Sequence, residues 1–238
     1  SAVTSEQNFP NVNKILALYG VKPFEIGIIR ETDSSKMLQG SPDIIKPDAL
    51  YSTITKDIAK DSGVRFINAT KINLVSEEEL ENLIVNKTEL LNASEKSYFR
   101  NNFKIQTDEI SSSDVAGKFL VGAELEKTIT EANEENGTKA VKSKMVIYGE
   151  NNFTTDYPVS NYSQVTVFQL ANNKDLVLNS IAYLVDRQED ITARKNTGTV
   201  SYRATEQEDT IIKCIIFVVP ALIIIAGIIV WIIRRRKK

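Results

Sequence analysis

Histidine is absent from the 238-residue chain, and cysteine occurs once, at Cys214. Without histidine there is no Ser-His-Asp triad, no Cys-His pair and no histidine-ligated zinc, and a lone cysteine forms no internal disulfide. No metal and no cofactor is therefore expected. Acidic residues are also missing from one end of the chain. None of the 31 acids lies beyond Asp209, whereas six of the 29 basic residues lie from Lys213 onward. Residues 1–210 thus carry 23 basic and 31 acidic side chains, a net of −8. An acidic surface repels phosphate backbones, so no nucleic-acid partner is expected.

What the C-terminus does contain is CIIFVVPALIIIAGIIVWIIRRRKK, from Cys214 to Lys238. Cys214 to Ile233 carries no formal charge, and a helix of that length spans about 30 Å, the thickness of a bilayer core. Pro220 falls in the outer third, and Trp231 lies near the basic end, where an amphipathic ring suits the lipid interface. Arg234, Arg235 and Arg236 follow at once, with Lys237 and Lys238 behind them. The positive-inside rule then puts the tail in the cytoplasm and residues 1–210 outside it. Thr205 to Glu208 has the T-x-x-E form of a capping box, which starts the helix before the lipid. The expected division is an extracytoplasmic α/β domain over 1–189 and a linker with the start of a stalk helix over 190–210. A transmembrane helix over 211–233 and a basic cytoplasmic tail over 234–238 complete it. The polar start SAVTSEQNFPNVNK has no apolar core for export. A removed leader, or a larger N-terminal portion before Ser1, is expected in consequence.

Within residues 1–189 the periodicities alternate between strand and helix. Pro10 to Gly20 reads as a short helix with Val12, Ile15, Leu16 and Tyr19 on one face. EIGIIRE (Glu25–Glu31) and VRFI (Val64–Ile67) read as strands, and Thr32 to Asp48 as a long loop. Ser76-Glu77-Glu78-Glu79 could cap a helix, though Leu83 to Val85 reads equally as strand. Phe119, Val121, Ala123 and Leu125 alternate as on a strand. Thr130 to Ser143 reads as an exposed loop and Lys144 to Gly149 as a buried strand. Asn173 to Asp186 reads as an amphipathic helix with Val177, Ile181, Leu184 and Val185 on its apolar face. This alternation favours an α/β domain whose sheet is covered on both faces.

Few motifs carry chemistry. Gly117-Lys118 and Gly122 lack the G-x-x-x-x-G-K-[ST] spacing of a P-loop. Counted from Glu131, the sixth and twelfth positions hold Asn136 and Lys142, which does not match a calcium loop. The loop ENNFTTD follows a central strand at the edge where α/β sheets gather ligands. Glu150, Asn151, Asn152 and Asp156 are its candidate ligand- or partner-facing residues. Glu150 and Asp156 also invite reading as an acid/base pair, but loop acids are more often simply solvated. No catalytic residue is assigned.

Four stretches and the C-terminal run together resemble the GldG-like family of ABC-transporter auxiliary proteins. PNVNKILALYGVK is similar to that family's helix ending in a YG turn, and LLNASEKSYF to its LL-x-T-S segment, with Ala93 in the threonine position. KMVIYGENNF resembles its strand and loop, with Glu150 in the acidic position. NSIAYLVDRQEDI resembles its N-x-x-x-W-L helix, with Tyr183 in place of tryptophan. The closing helix resembles the family's through Pro220, Gly227, Trp231 and Arg234 to Arg236. The resemblance implies a Rossmann-like, amidotransferase-like three-layer domain, begun before Ser1 and followed by one C-terminal transmembrane helix. It also implies a non-enzymatic subunit, held in the cell membrane and serving an ABC-2-type permease and its separate ATPase. A tethered receptor for a ligand or polymer is the alternative expectation.

Overall fold

A computed structural model describes residues 9–58, 63–105, 107–133, 137–159 and 165–187, together with Pro220, Gly227, Ile228, Trp231 and Arg235. The chain divides into two units, Ser1–Asn196 and Thr197–Lys238.

The first unit is mixed α/β, with three α-helices among the described residues. Pro10 occupies the first turn of α1 (Pro10–Ala17), where its missing N–H costs nothing. Gly20 follows at φ +73, a conformation that glycine adopts without a Cβ penalty. The helix buries Asn13 and Leu16 and leaves Val12 and Ile15 exposed, so only part of the expected face is used. In α2 (Glu77–Asn82) the capping box forms as read. Glu79 N–H donates to Ser76 Oγ, and Glu79 Oε2 accepts from the Ser76 amide. The helix stops at Asn82 and a strand starts at Val85, so Leu83 and Ile84 form the turn between them and only Val85 of that segment is strand.

The short strands are β1 (Ile28–Arg30), β2 (Met37–Leu38), β3 (Ser41–Ile45), β4 (Asp48–Ala49) and β5 (Phe66–Ile67). β6 (Val85–Asn92), β7 (Tyr98–Arg100), β8 (Val115–Ala116), β9 (Leu120–Asn133) and β10 (Gly137–Tyr148) follow, and α3 (Asn173–Leu184) comes last. They form three sheets in the orders β1-β7-β8, β10-β9-β6-β4 and β2-β3-β5. Every pairing among the named strands is antiparallel. A Rossmann-like sheet is instead built of parallel strands joined by crossover helices.

Two segments expected to be loops are largely strand. Between Thr32 and Asp48, Met37 pairs with Ile45, and Ile44 pairs with Ile67 on β5. Between Thr130 and Ser143, β9 and β10 stay in register from Tyr148↔Gly122 to Gly137↔Asn133. Polar composition marks that second segment as solvated, but backbone pairing continues without an apolar face. β6 accompanies β9 only as far as Lys127. The hairpin beyond is a two-stranded arm of roughly 20 Å.

The four-stranded sheet has helices against both faces. Ala123, Leu125 and Ile147 share a buried cluster with Leu16 of α1 and Leu80 of α2. On the other side Val146 and Tyr148 pack with Leu176 and Tyr183 of α3. Of the predicted alternation, Ala123 and Leu125 share one buried cluster, whereas Val121, beyond a register shift against β6, is buried in the other, and Phe119 precedes β9 and is partly buried.

Candidate functional site

The strand β10 delivers the chain to the candidate loop through a fixed glycine. Gly149 N–H donates to the Val121 carbonyl at 2.9 Å, and its own carbonyl accepts from Thr70 N–H at 2.6 Å. A Cβ here would lie 2.0 Å from the Thr70 carbonyl oxygen, a distance no side chain tolerates. Glu150 is therefore aimed by the backbone on either side of it.

Its carboxylate turns back on its own loop. Asn152 N–H donates to Oε1 at 2.8 Å, and Phe153 N–H donates to Oε2. Phe153 is buried, with its ring 5.1 Å from Phe66 and 5.0 Å from Tyr148. Burial raises the Glu150 carboxyl above its ordinary range, while the two amide donors pull it down. Two recesses share Tyr148 and Glu150 in their linings. One, of about 250 Å³, continues along Val146, Phe153, Val177, Ile181 and Leu184. The other, of about 330 Å³, continues to Phe24, Asn68, Thr70 and Asn151.

The geometry thus gathers Glu150 and Asn151 at one recess. Asn152 contributes its backbone amide to Glu150, and Asp156 is exposed and lines neither recess. Carboxylate oxygens occupied by local amides hold a loop in shape, as at a helix cap. Of the predicted anchor residues, Pro220, Gly227, Trp231 and Arg235 are helical, and the Arg235 guanidinium lies 5.3 Å from the Trp231 ring. Arg234 and Arg236 lie outside the described residues, as do Thr205–Glu208 and most of 211–233. Among the described residues no helix is long and apolar enough to cross a membrane.

A second polar centre escaped the sequence reading. β1 and β7 pair so that Arg30 faces Tyr98 and Ile28 faces Arg100, placing both arginines on one face around the tyrosine. Arg30 donates to Asp43 at 2.6 Å, to Asp108 at 2.6 Å and to the Thr107 carbonyl at 3.1 Å. Arg100 donates to Asp114 at 2.7 Å and to the carbonyls of Thr107 and Glu109 at 2.5 and 2.7 Å. Tyr98 Oη donates to the Asp108 carbonyl at 2.9 Å. With its donors answered by protein, this cluster pins the segment 107–114 rather than presenting charge to a ligand. The available signal was an arginine closing each apolar strand, Ile28-Ile29-Arg30 and Tyr98-Phe99-Arg100.

No family model matches the chain, and no curated protein matches it. Among solved structures it is similar to one described as the mmIFT52 N-terminal domain, with a TM-score of 0.38 and 12% identity. That match covers 77% of this chain, which spans 61% of the length of the other.

Proposed function

We propose that the chain is a non-enzymatic, membrane-anchored auxiliary subunit of an ABC-type transport system with an ABC-2 permease. The observation that carries this reading is the ordered resemblance to GldG-like proteins, running from Pro10 through the basic end. The uncharged run Cys214–Ile233, closed by five cations, supplies the anchor and its orientation. On this reading residues 1–189 lie outside the cytoplasm. They contact the permease or its cargo, while a separate ATPase provides the energy.

The finer fold carried by this reading is a Rossmann-like, amidotransferase-like three-layer domain. Helices on both faces of the four-stranded sheet support the layering. The antiparallel pairing departs from the parallel order, so the functional reading rests on the motifs and the anchor. The Glu150 loop, tied by its own amides, suits a contact surface better than proton transfer.

Gentle detergent extraction of the tagged full chain tests the proposal. A permease and an ATPase are expected to co-purify in fixed ratio. Repeated absence of both overturns the transporter reading and leaves the tethered receptor in its place.

A further inference from the structure

We infer that Asn68 and Asn86 carry N-linked oligosaccharides and that Asn92, which stands in the same sequence pattern, carries none. The inference rests on the reading that residues 1–189 lie outside the cytoplasm, where lipid-linked sugars are transferred to protein.

The acceptor pattern is N-x-[ST], with any residue but proline in the middle. It occurs six times, at Asn68, Asn86, Asn92, Asn136, Asn152 and Asn161. Random order of the 19 asparagines and 36 serines and threonines would give about three. All six fall within the stretch assigned to the outer side, and none in the linker or the apolar run.

Burial separates the sites, because the reacting atom is the side-chain Nδ2 and the attached sugar has to reach water. Asn68 is exposed and sits at φ +56, a left-handed conformation in which asparagine is enriched. Its N–H donates to the Asp43 carbonyl at 2.9 Å, which fixes the backbone beneath an exposed side chain. Asn86 is exposed near the start of β6, opposite Glu126 of β9. Asn92 ends the same strand at 3% exposure, and its Nδ2 donates to Glu89 at 2.9 Å. A sugar there would break that bond and open the core around Leu90, Leu91 and Ala93. Asn152 is half-buried in the Glu150 loop, and Asn136 and Asn161 lie outside the described residues, so none of these three is assigned.

The step is a substitution at a sugar's anomeric carbon. The amide nitrogen bonds to C1, the C1–O bond to a polyprenyl phosphate or pyrophosphate breaks, and the amide proton passes to a base of the transferring enzyme. The lipid-linked oligosaccharide and its transferase belong to the membrane. The enzyme reads the hydroxyl two residues on, here Thr70 and Thr88. In the folded chain Thr70 Oγ1 donates to the Glu25 carbonyl at 3.3 Å, a long bond that forms after transfer. Asn68 also lines the recess of about 330 Å³ with Glu150 and Asn151. A sugar chain rooted there hinders a protein partner at that recess.

Peptide mass spectrometry on the tagged full chain, recovered from membranes of the cells that naturally make it, tests the inference. A sugar mass is expected on Asn68 and on Asn86, and none on Asn92. Thr70→Ala and Thr88→Ala should each abolish the mass at their own site, whereas Thr70→Ser and Thr88→Ser should keep it. These changes leave both asparagines in place, the left-handed Asn68 included, so the loss reads recognition by the transferase. Impermeant-maleimide labelling of a cysteine at Ser112, with Cys214 replaced by serine, runs in parallel. A bare Asn68 or Asn86 with Ser112 labelled from outside overturns the inference and spares the topology. Bare asparagines with Ser112 protected overturn both. A sugar on Asn92 as abundant as on the other two would also overturn it, since burial would then select nothing.

Discussion

Asp114 and Arg100 are withdrawn from water almost entirely, with side-chain exposures of 0% and 2%. Two charges so placed are tolerable only because each satisfies the other and the remaining hydrogen-bonding capacity is used. Asp114 also accepts from Ser111 N–H at 2.8 Å. Substitution of Asp114 by Asn leaves the Arg100 charge buried without its counter-ion. A loss of about 3–5 kcal/mol is expected in urea denaturation. The hydrogen bond from Arg100 holds the Asp114 carboxyl below its ordinary 3.8, against the opposing effect of burial. A depressed carboxyl contributes stability that is fully present above the unfolded value and is lost as pH falls through the folded one. The gap between the parent chain and Asp114→Asn should therefore narrow on acidification below 3.8. A gap independent of pH would show that the pair is not what holds this segment.

Elements take their orientation from polar ties as much as from apolar faces, and α3 is the clearest case. Its stripe Val177, Ile181, Leu184 and Val185 was read as the inward face, but Ile181, Leu184 and Val185 are exposed. What points inward instead is Asn173, fully buried, whose amide donates to the Arg65 and Val167 carbonyls at 2.7 and 2.8 Å and accepts from Arg65 N–H at 2.9 Å. Asn179 donates to the Ile54 carbonyl at 2.9 Å, and Tyr148 and Ser180 share a hydrogen bond of 2.8 Å. Removing such a partner leaves buried backbone groups unsatisfied, at about 1–3 kcal/mol for each group. Asn173→Ala is therefore expected to lower stability by several kcal/mol, and Ile181→Ala by about 0.5 kcal/mol or less. Thermal denaturation of the two variants checks the order. A larger loss at Ile181 would mean that the helix packs on its apolar stripe after all.

At the scale of the molecule, the charge distribution makes its own prediction. Residues 1–210 hold every acid of the chain and the last five residues are all cations. With Cys214 replaced by serine, single cysteines introduced at Ser112 and Lys238 can be labelled in intact cells with an impermeant maleimide. Labelling at Ser112 and not at Lys238 is expected if the basic tail is cytoplasmic. The opposite pattern would invert the orientation and with it the placement of the α/β domain.

The parts legible in the sequence were those set by near neighbours along the chain. The Ser76–Glu79 capping box, the shared buried face of Ala123 and Leu125 and the strand at Ile28 each follow from a few consecutive residues. The mixed α/β class follows from their succession, and the division of charge from simple order. That a loop follows the strand ending at Tyr148 was legible, but β10 is the outer strand of its sheet rather than the expected central one, and the closure of Glu150 on its own amides was not legible. Pairing partners distant in the chain decided the rest. Asn179 meets Ile54 across 125 positions, and Tyr183 reaches Glu124 across 59. Backbone ladders turned two polar stretches into hairpins, and the pairing of β1 with β7 brought Arg30 and Arg100 around one tyrosine. Periodicity records how apolar a face is, whereas burial depends on what lies opposite. A polar side chain goes inside when its hydrogen bonds are met there, and no local pattern announces that a distant carbonyl will meet them.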